Sequence, residues 1–182
     1  SLTVKDGLIL SRDEKAPKGA TTVDCGGKCL APGIVDWGVK IGEPGERHRE
    51  SFRSAGLAAA AGGVTTIIAR PDTNPAIDTP ETLEFVTRRA SEAPVRIRHM
   101  AALTKAREGR EMTEIGFLRD AGAIAFSDVF RVSTEAKAIT RAMAYAKSLG
   151  ALVVGHPQDP GLSSGASATS GRCATSGSSS PS

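Results

Sequence analysis

The sequence predicts an α/β protein in which a parallel sheet is laid down strand by strand with helical crossovers. Three observations carry this. Short apolar runs of strand length recur from Leu30 onward, Ala-rich or amphipathic stretches of helical length separate them, and glycines stand where those stretches stop. Before Leu30 the pattern is different, with short strands and turns only.

In order, Leu2–Val4 and Leu8–Leu10 flank Asp6-Gly7, a hairpin turn signal, and Thr21–Asp24 reads as a further short strand ending at Gly26-Gly27. The expected strands of the sheet are Gly33–Ile41, Val64–Ala69, Val95–Leu103, Ala123–Ser127 and Ala151–His156. The first helix, Arg49–Ala61, stops at Gly62-Gly63. The second opens at Thr79-Pro80-Glu81, with Thr as cap and Pro in the first turn. A third spans Thr113–Ala121. A fourth is capped by Ser133 or Thr134 and carries Ile139, Met143, Ala146 and Leu149 on one face before Gly150. The last twenty residues, Ser163–Ser182, hold nine serines and no apolar period, so they read as a low-complexity, disordered tail. The organisation is thus a β segment over 1–30, an α/β unit over 31–162 and the tail over 163–182. An eightfold barrel takes about 250 residues, so residues 31–162 fit an open sheet or an incomplete barrel of about five strands.

Composition narrows the function classes. Apolar residues make up 40% and charged residues 24%, which suits a globular protein with a core. A net charge of +3 with scattered basic residues argues against nucleic acid. No apolar run approaches the roughly 18–20 residues of a membrane span, and Ser1–Leu10 lacks the order of a signal peptide, so a cytoplasmic location is expected. Cys25 and Cys29, four apart, could be half of a zinc site, but no second Cys/His pair follows at suitable spacing; reduced thiols are expected.

A run of motifs points further. Ala31-Pro32-Gly33-Ile34-Val35-Asp36, followed by Glu43-Pro44-Gly45-Glu46, resembles the first barrel strand of the dihydroorotase family, which reads Pro-Gly-aliphatic-aliphatic-Asp-x-His-x-His-x-Arg-Glu-Pro-Gly. Ala58–Thr66 resembles the family's first helix and second strand, and Pro71-Asp72-Thr73-Asn74-Pro75 its Pro-Asn-Thr-x-Pro loop. Gly122–Asp128 resembles the fourth strand and Val153–His156 the fifth. The likeness spans about residues 21–162. It implies an amidohydrolase-type TIM (β/α) barrel of which about the first five strands are present, with residues 1–30 belonging to a small β-domain.

The family uses zinc to open or close a cyclic amide, interconverting dihydroorotate and carbamoyl-aspartate. A His-x-His pair serves as ligand because side chains at i and i+2 share a strand face. At the matching positions this chain has Gly38 and Lys40, neither of which binds zinc. The arginine that grips the substrate carboxylate is replaced by Gly42, and the substrate-contacting asparagine by Asp72. The bridging aspartate falls on Val129; Asp128 matches only the residue before it and is a weak candidate metal ligand. His156 alone occupies a family ligand position, as a vestigial candidate. Asp36 is expected at the barrel floor, and His48 and His99 as surface or hydrogen-bonded residues. Lys40 could take over the missing zinc charge by lying, buried, against Asp72 or Asp128.

Three readings of function follow. The first is a catalytically inactive homologue with no expected cofactor, acting as a structural or assembly partner in pyrimidine biosynthesis. The resemblance suggests aspartate transcarbamoylase as its partner, with a homo-oligomer as the other option. The second is a zinc-dependent cyclic-amide hydrolase with an altered site. The third is a non-functional fragment ending in a truncation or frame change near Leu162.

Overall fold

A computed structural model describes residues 2–12, 17–131 and 135–158. Two compact units are distinguished, Ser1–Pro32 and Gly33–Ser182.

The first unit contains an antiparallel hairpin of β1 (Leu2–Lys5) and β2 (Leu8–Arg12). Both turn residues, Asp6 and Gly7, have left-handed backbones (φ 51° and 77°), as the tightest hairpin turns require. The expected strand at Thr21–Asp24 does not form: these residues are exposed and pair with no described strand. A strand needs a partner for its N–H and C=O groups, which a local pattern cannot supply.

The second unit is a four-stranded parallel sheet, β3 (Ile34–Val39), β4 (Val64–Ala69), β5 (Arg96–Ala101) and β6 (Ala125–Phe126), in sequential order. Helices α1 (Phe52–Ala61), α2 (Pro80–Ala90) and α3 (Ile115–Asp120) fill the crossovers, and α4 (Ala136–Ser148) follows β6. The sheet curls into a partial (β/α) barrel, the architecture that strictly sequential parallel order favours. The expected fifth strand is reduced to one parallel bridge, Phe126 to Val153.

Local chemistry sets the helix starts. Ser51 and Ser54 form a reciprocal capping box at α1, so the helix begins three residues later than Arg49. Thr79 caps α2, accepting a hydrogen bond from the Thr82 N–H, with Pro80 in the first turn as expected. The expected cap residues of α4, Ser133 and Thr134, lie outside the described residues, as does the Ser-rich tail.

Alternation along the strands divides the core. Ile67, Ala69, Ala101 and Phe126 face the helices and pack with Phe52, Leu83, Val86, Leu118 and Ala142. Ile68, Met100 and Ala125 form a smaller cluster on the opposite, inner face. Register places Trp37 and Arg98 beside Ile68 on that inner face, and both are exposed.

Candidate functional site

Loops at the C-terminal ends of the strands bring the chemistry together, as in parallel barrels generally. β4 runs directly into Arg70, Pro71 and Asp72. Arg70 and Asp72 are two apart, and the guanidinium forks the carboxylate through Nε at 3.0 Å and Nη2 at 2.9 Å. Both side chains are largely buried (17% and 11% exposed). The Arg70 guanidinium also lies 4.9 Å from the centre of the Phe130 ring, and that ring meets His156 edge-on at 5.3 Å. Carboxylate, guanidinium, phenyl ring and imidazole thus form one chain of contacts across the mouth of the sheet.

Asp128 is committed elsewhere. Its Oδ1 accepts from the backbone N–H groups of Leu103 and Thr104 at 3.1 and 3.0 Å, and its Oδ2 from Thr104 Oγ1 at 2.6 Å. With both oxygens occupied, it ties the end of β6 to the loop after β5. Val129 has a left-handed backbone (φ 59°), and its N–H donates to Ser127 Oγ at 2.9 Å. His156 is exposed, and its Nε2 lies 3.2 Å from Gln158 Oε1.

On β3, Gly38 sits at an irregularity between the pairs formed by Trp37 and Val39 and has φ 86°. A Cβ there would meet nothing within 4 Å, so space is available but the backbone disfavours an L side chain. Lys40 is half-exposed and lies 3.6 Å from Glu46. The expected buried pairing of Lys40 with Asp72 or Asp128 is therefore not formed. The reason is reach: Glu46 lies in the loop that leaves the same strand, while Arg70 already stands two residues before Asp72. At Gly42 an added Cβ would fall 2.6 Å from the Glu46 carbonyl oxygen and 3.0 Å from that of Glu50. The loop has closed where the family carries its arginine.

Asp36 is exposed on β3. His48 is exposed, whereas His99 departs from expectation. It is buried, packs edge-on against Phe52 at 5.5 Å, and neither ring nitrogen has a hydrogen-bond partner among the described residues. Burial lowers its pKa to about 4, so the ring is neutral at physiological pH.

Three further residues carry weight at the strand ends. Arg70 was legible in principle, as a cation at i−2 from the altered loop position at a strand end. Phe130 carried no signal. In the sequence Glu43 stands only as part of a motif. In the structure it is buried and accepts from Arg89 Nε at 2.9 Å and from the Phe52 N–H, the first residue of α1, at 3.2 Å.

Zinc would need several imidazole, thiolate or carboxylate donors converging on one point. Gly38 and Val129 offer none, Lys40 turns to Glu46, and Asp72 and Asp128 are bonded to other groups. No group of three or more His, Cys, Asp or Glu converges among the described residues, Cys25 and Cys29 included. The described donor set does not fit the ion.

The model of the dihydro-orotase-like family matches residues 27–176. The chain belongs to the dihydroorotase-like family. The dihydroorotase of Streptococcus pneumoniae is 38% identical over 160 residues, covering 87% of this chain and 38% of that protein. The dihydroorotase of Syntrophus aciditrophicus is 36% identical over 178 residues, covering 96% of this chain and 42% of its own length. The chain thus spans about two-fifths of these relatives. The L-hydantoinase (dihydropyrimidinase) of Arthrobacter aurescens superposes with a TM-score of 0.59 at 23% identity, over 69% of this chain and 29% of that one, which speaks for the fold. The family match passes the limit of residue 162 expected from motifs alone and enters the Ser-rich segment. No helix among the described residues is long and apolar enough to cross a membrane.

Proposed function

We propose that this dihydroorotase-family chain carries no hydrolase activity, needs no zinc, and serves as a structural or assembly partner in pyrimidine biosynthesis, in the cytoplasm. The observation that carries the reading is the Arg70–Asp72 fork under Phe130. A permanent cation neutralises the carboxylate at the altered substrate loop, one ring away from His156, which keeps a family ligand position. A zinc ion placed there would meet a fixed positive charge, which opposes its binding. Gly42 supports the same reading, because the loop conformation leaves no room for a carboxylate-gripping arginine.

An assembly role draws support from β3, where Val35 and Trp37 share one face and are 58% and 46% exposed, apolar surface of the kind that partners cover. Aspartate transcarbamoylase, by family resemblance, or a second copy of the chain are the partners proposed. The test is zinc quantitation on the purified protein together with a dihydroorotate hydrolysis assay. The expected result is substoichiometric zinc and no turnover; one zinc per chain with hydrolysis would overturn the proposal.

A further inference from the structure

A second feature of the strand ends lies outside the family's motifs. The loop after β5 contains a short 3₁₀ turn, Lys105–Arg107, in which Ala106 and Arg107 both have left-handed backbones (φ 50° and 57°). Neither is a glycine, and such conformations are strained for L side chains. The turn is held open from two sides. The Ala106 N–H donates to Asp78 Oδ2 at 2.8 Å, and Arg131 Nη1 donates to the Ala106 carbonyl at 3.1 Å.

The strained turn aims Arg107 into a cleft of about 500 Å³ lined by Arg107, Glu108, Arg110 and Arg131. Arg107 is poorly satisfied there. Its Nη1 makes a long 3.4 Å contact to the Asp128 carbonyl, and its Nε is buried with no acceptor among the described residues. A buried unpaired donor on a charged group is costly, and its place in a strained loop calls for an acceptor. Glu108 does not provide one, since it forms no ion pair with any of the three arginines among the described residues. Arg110 makes no side-chain hydrogen bond among the described residues, and Arg131 spends one nitrogen on the turn carbonyls. Three guanidinium groups against one carboxylate leave the lining with an excess of two positive charges. Burial, reinforced by Arg131 and Arg70 nearby, disfavours the charged form of Arg107, with Asp72 and Asp128 acting against them. An anion would relieve that.

We propose that this cleft binds the phosphoryl group of a small phosphorylated molecule, with Arg107, Arg110 and Arg131 as its ligands. A phosphate monoester carries about two negative charges near neutral pH, matching the excess, and its oxygens accept the forked donors of arginine. The cleft is larger than a phosphate ion, which leaves room for the organic portion. This inference stands independently of the chain's hydrolase activity.

The test is thermal unfolding of the full chain at constant ionic strength, titrated with glycerol 3-phosphate, inorganic phosphate and succinate, and followed by calorimetry. Glycerol 3-phosphate at tenfold its Kd should raise Tm by about 3 °C and bind with one site per chain. Inorganic phosphate should bind more weakly, and succinate not measurably. Arg110→Gln, at an exposed position, should weaken binding tenfold or more while leaving Tm without ligand nearly unchanged, and Arg131→Gln, which also removes a bond to the turn, should weaken binding by at least as much. Arg107→Lys should keep the charge but lose the fork and weaken binding similarly. Phosphate binding as tight as or tighter than that of glycerol 3-phosphate would overturn the phosphorylated-molecule assignment. Equal binding of succinate would overturn the phosphoryl class. Absence of saturable binding, or binding untouched by the substitutions, would overturn the site itself.

Discussion

Arg70→Met tests the central feature of the strand ends. The substitution keeps an unbranched apolar stem of similar length and removes the charge. Asp72 would then be an ionised carboxylate, 11% exposed, that has lost two charge-assisted bonds of 2.9–3.0 Å. Removing one partner of a fully buried pair costs about 3–5 kcal/mol. This pair keeps some exposure on both sides, so about 2–3 kcal/mol is the fitting figure. The contact of the guanidinium with Phe130 adds up to about 1 kcal/mol. The control is Arg70→Met combined with Asp72→Asn, which removes the stranded charge. Urea unfolding of the single and double variants should give a loss of about 3 kcal/mol for Arg70→Met and recovery of at least half of it in the double variant. A loss under about 1 kcal/mol, the range of surface pairs, would refute the argument that a fixed cation neutralises this site.

Other expectations follow from the same geometry. Lys40→Met should cost less than about 1 kcal/mol, because the Lys40–Glu46 pair is solvent-exposed; equilibrium unfolding decides this. Glu43→Ala should destabilise by about 2–4 kcal/mol, since it leaves the α1 N-terminus and Arg89 without their buried acceptor, while Glu43→Gln should recover part of the loss. His99 predicts a pH dependence with a defined sign. Its folded-state pKa of about 4 lies below the unfolded value, so the unfolded chain binds the extra proton first as pH falls. Stability on this account is intact above about pH 6.5, declines by up to about 3 kcal/mol between pH 6.5 and 4, and levels off below. His99→Phe should remove that part of the slope. A difference between wild type and His99→Phe that stays constant across this range in urea titrations would count against the unpartnered, desolvated histidine.

How much was legible depended on where the deciding partner lay. The Thr79-Pro80 start of α2 and the strand Val64–Ala69 came out as read, because cap, proline and apolar period act within a few residues. Thr21–Asp24 failed as a strand because pairing is a long-range property. The charges around Lys40 identified candidate partners, but a choice among Glu46, Asp72 and Asp128 depends on backbone direction, which composition does not carry. His99 had no visible signal: whether a buried imidazole finds an acceptor is settled by the packing of Phe52 against β5. The sheet order itself rested on the family motifs, since the helix–strand alternation alone allowed an open sheet.

The positions around the strand ends are coupled rather than independent. Asp72 needs a cation because it is buried, and Arg70 supplies one in the plane of the carboxylate, which then holds Phe130 over His156. Gly42 lets the Glu46 and Glu50 carbonyls close in, and that same loop brings Glu46 within reach of Lys40. Placing histidines at 38 and 40 would therefore leave the Arg70 cation in place on Asp72. Placing an arginine at 42 would drive its Cβ to 2.6 Å from a carbonyl oxygen, a contact that only rebuilding the loop from Gly42 to Glu50 relieves. Local refilling of each position, more than the missing ligands alone, is what separates this chain's strand ends from the family pattern its sequence otherwise follows.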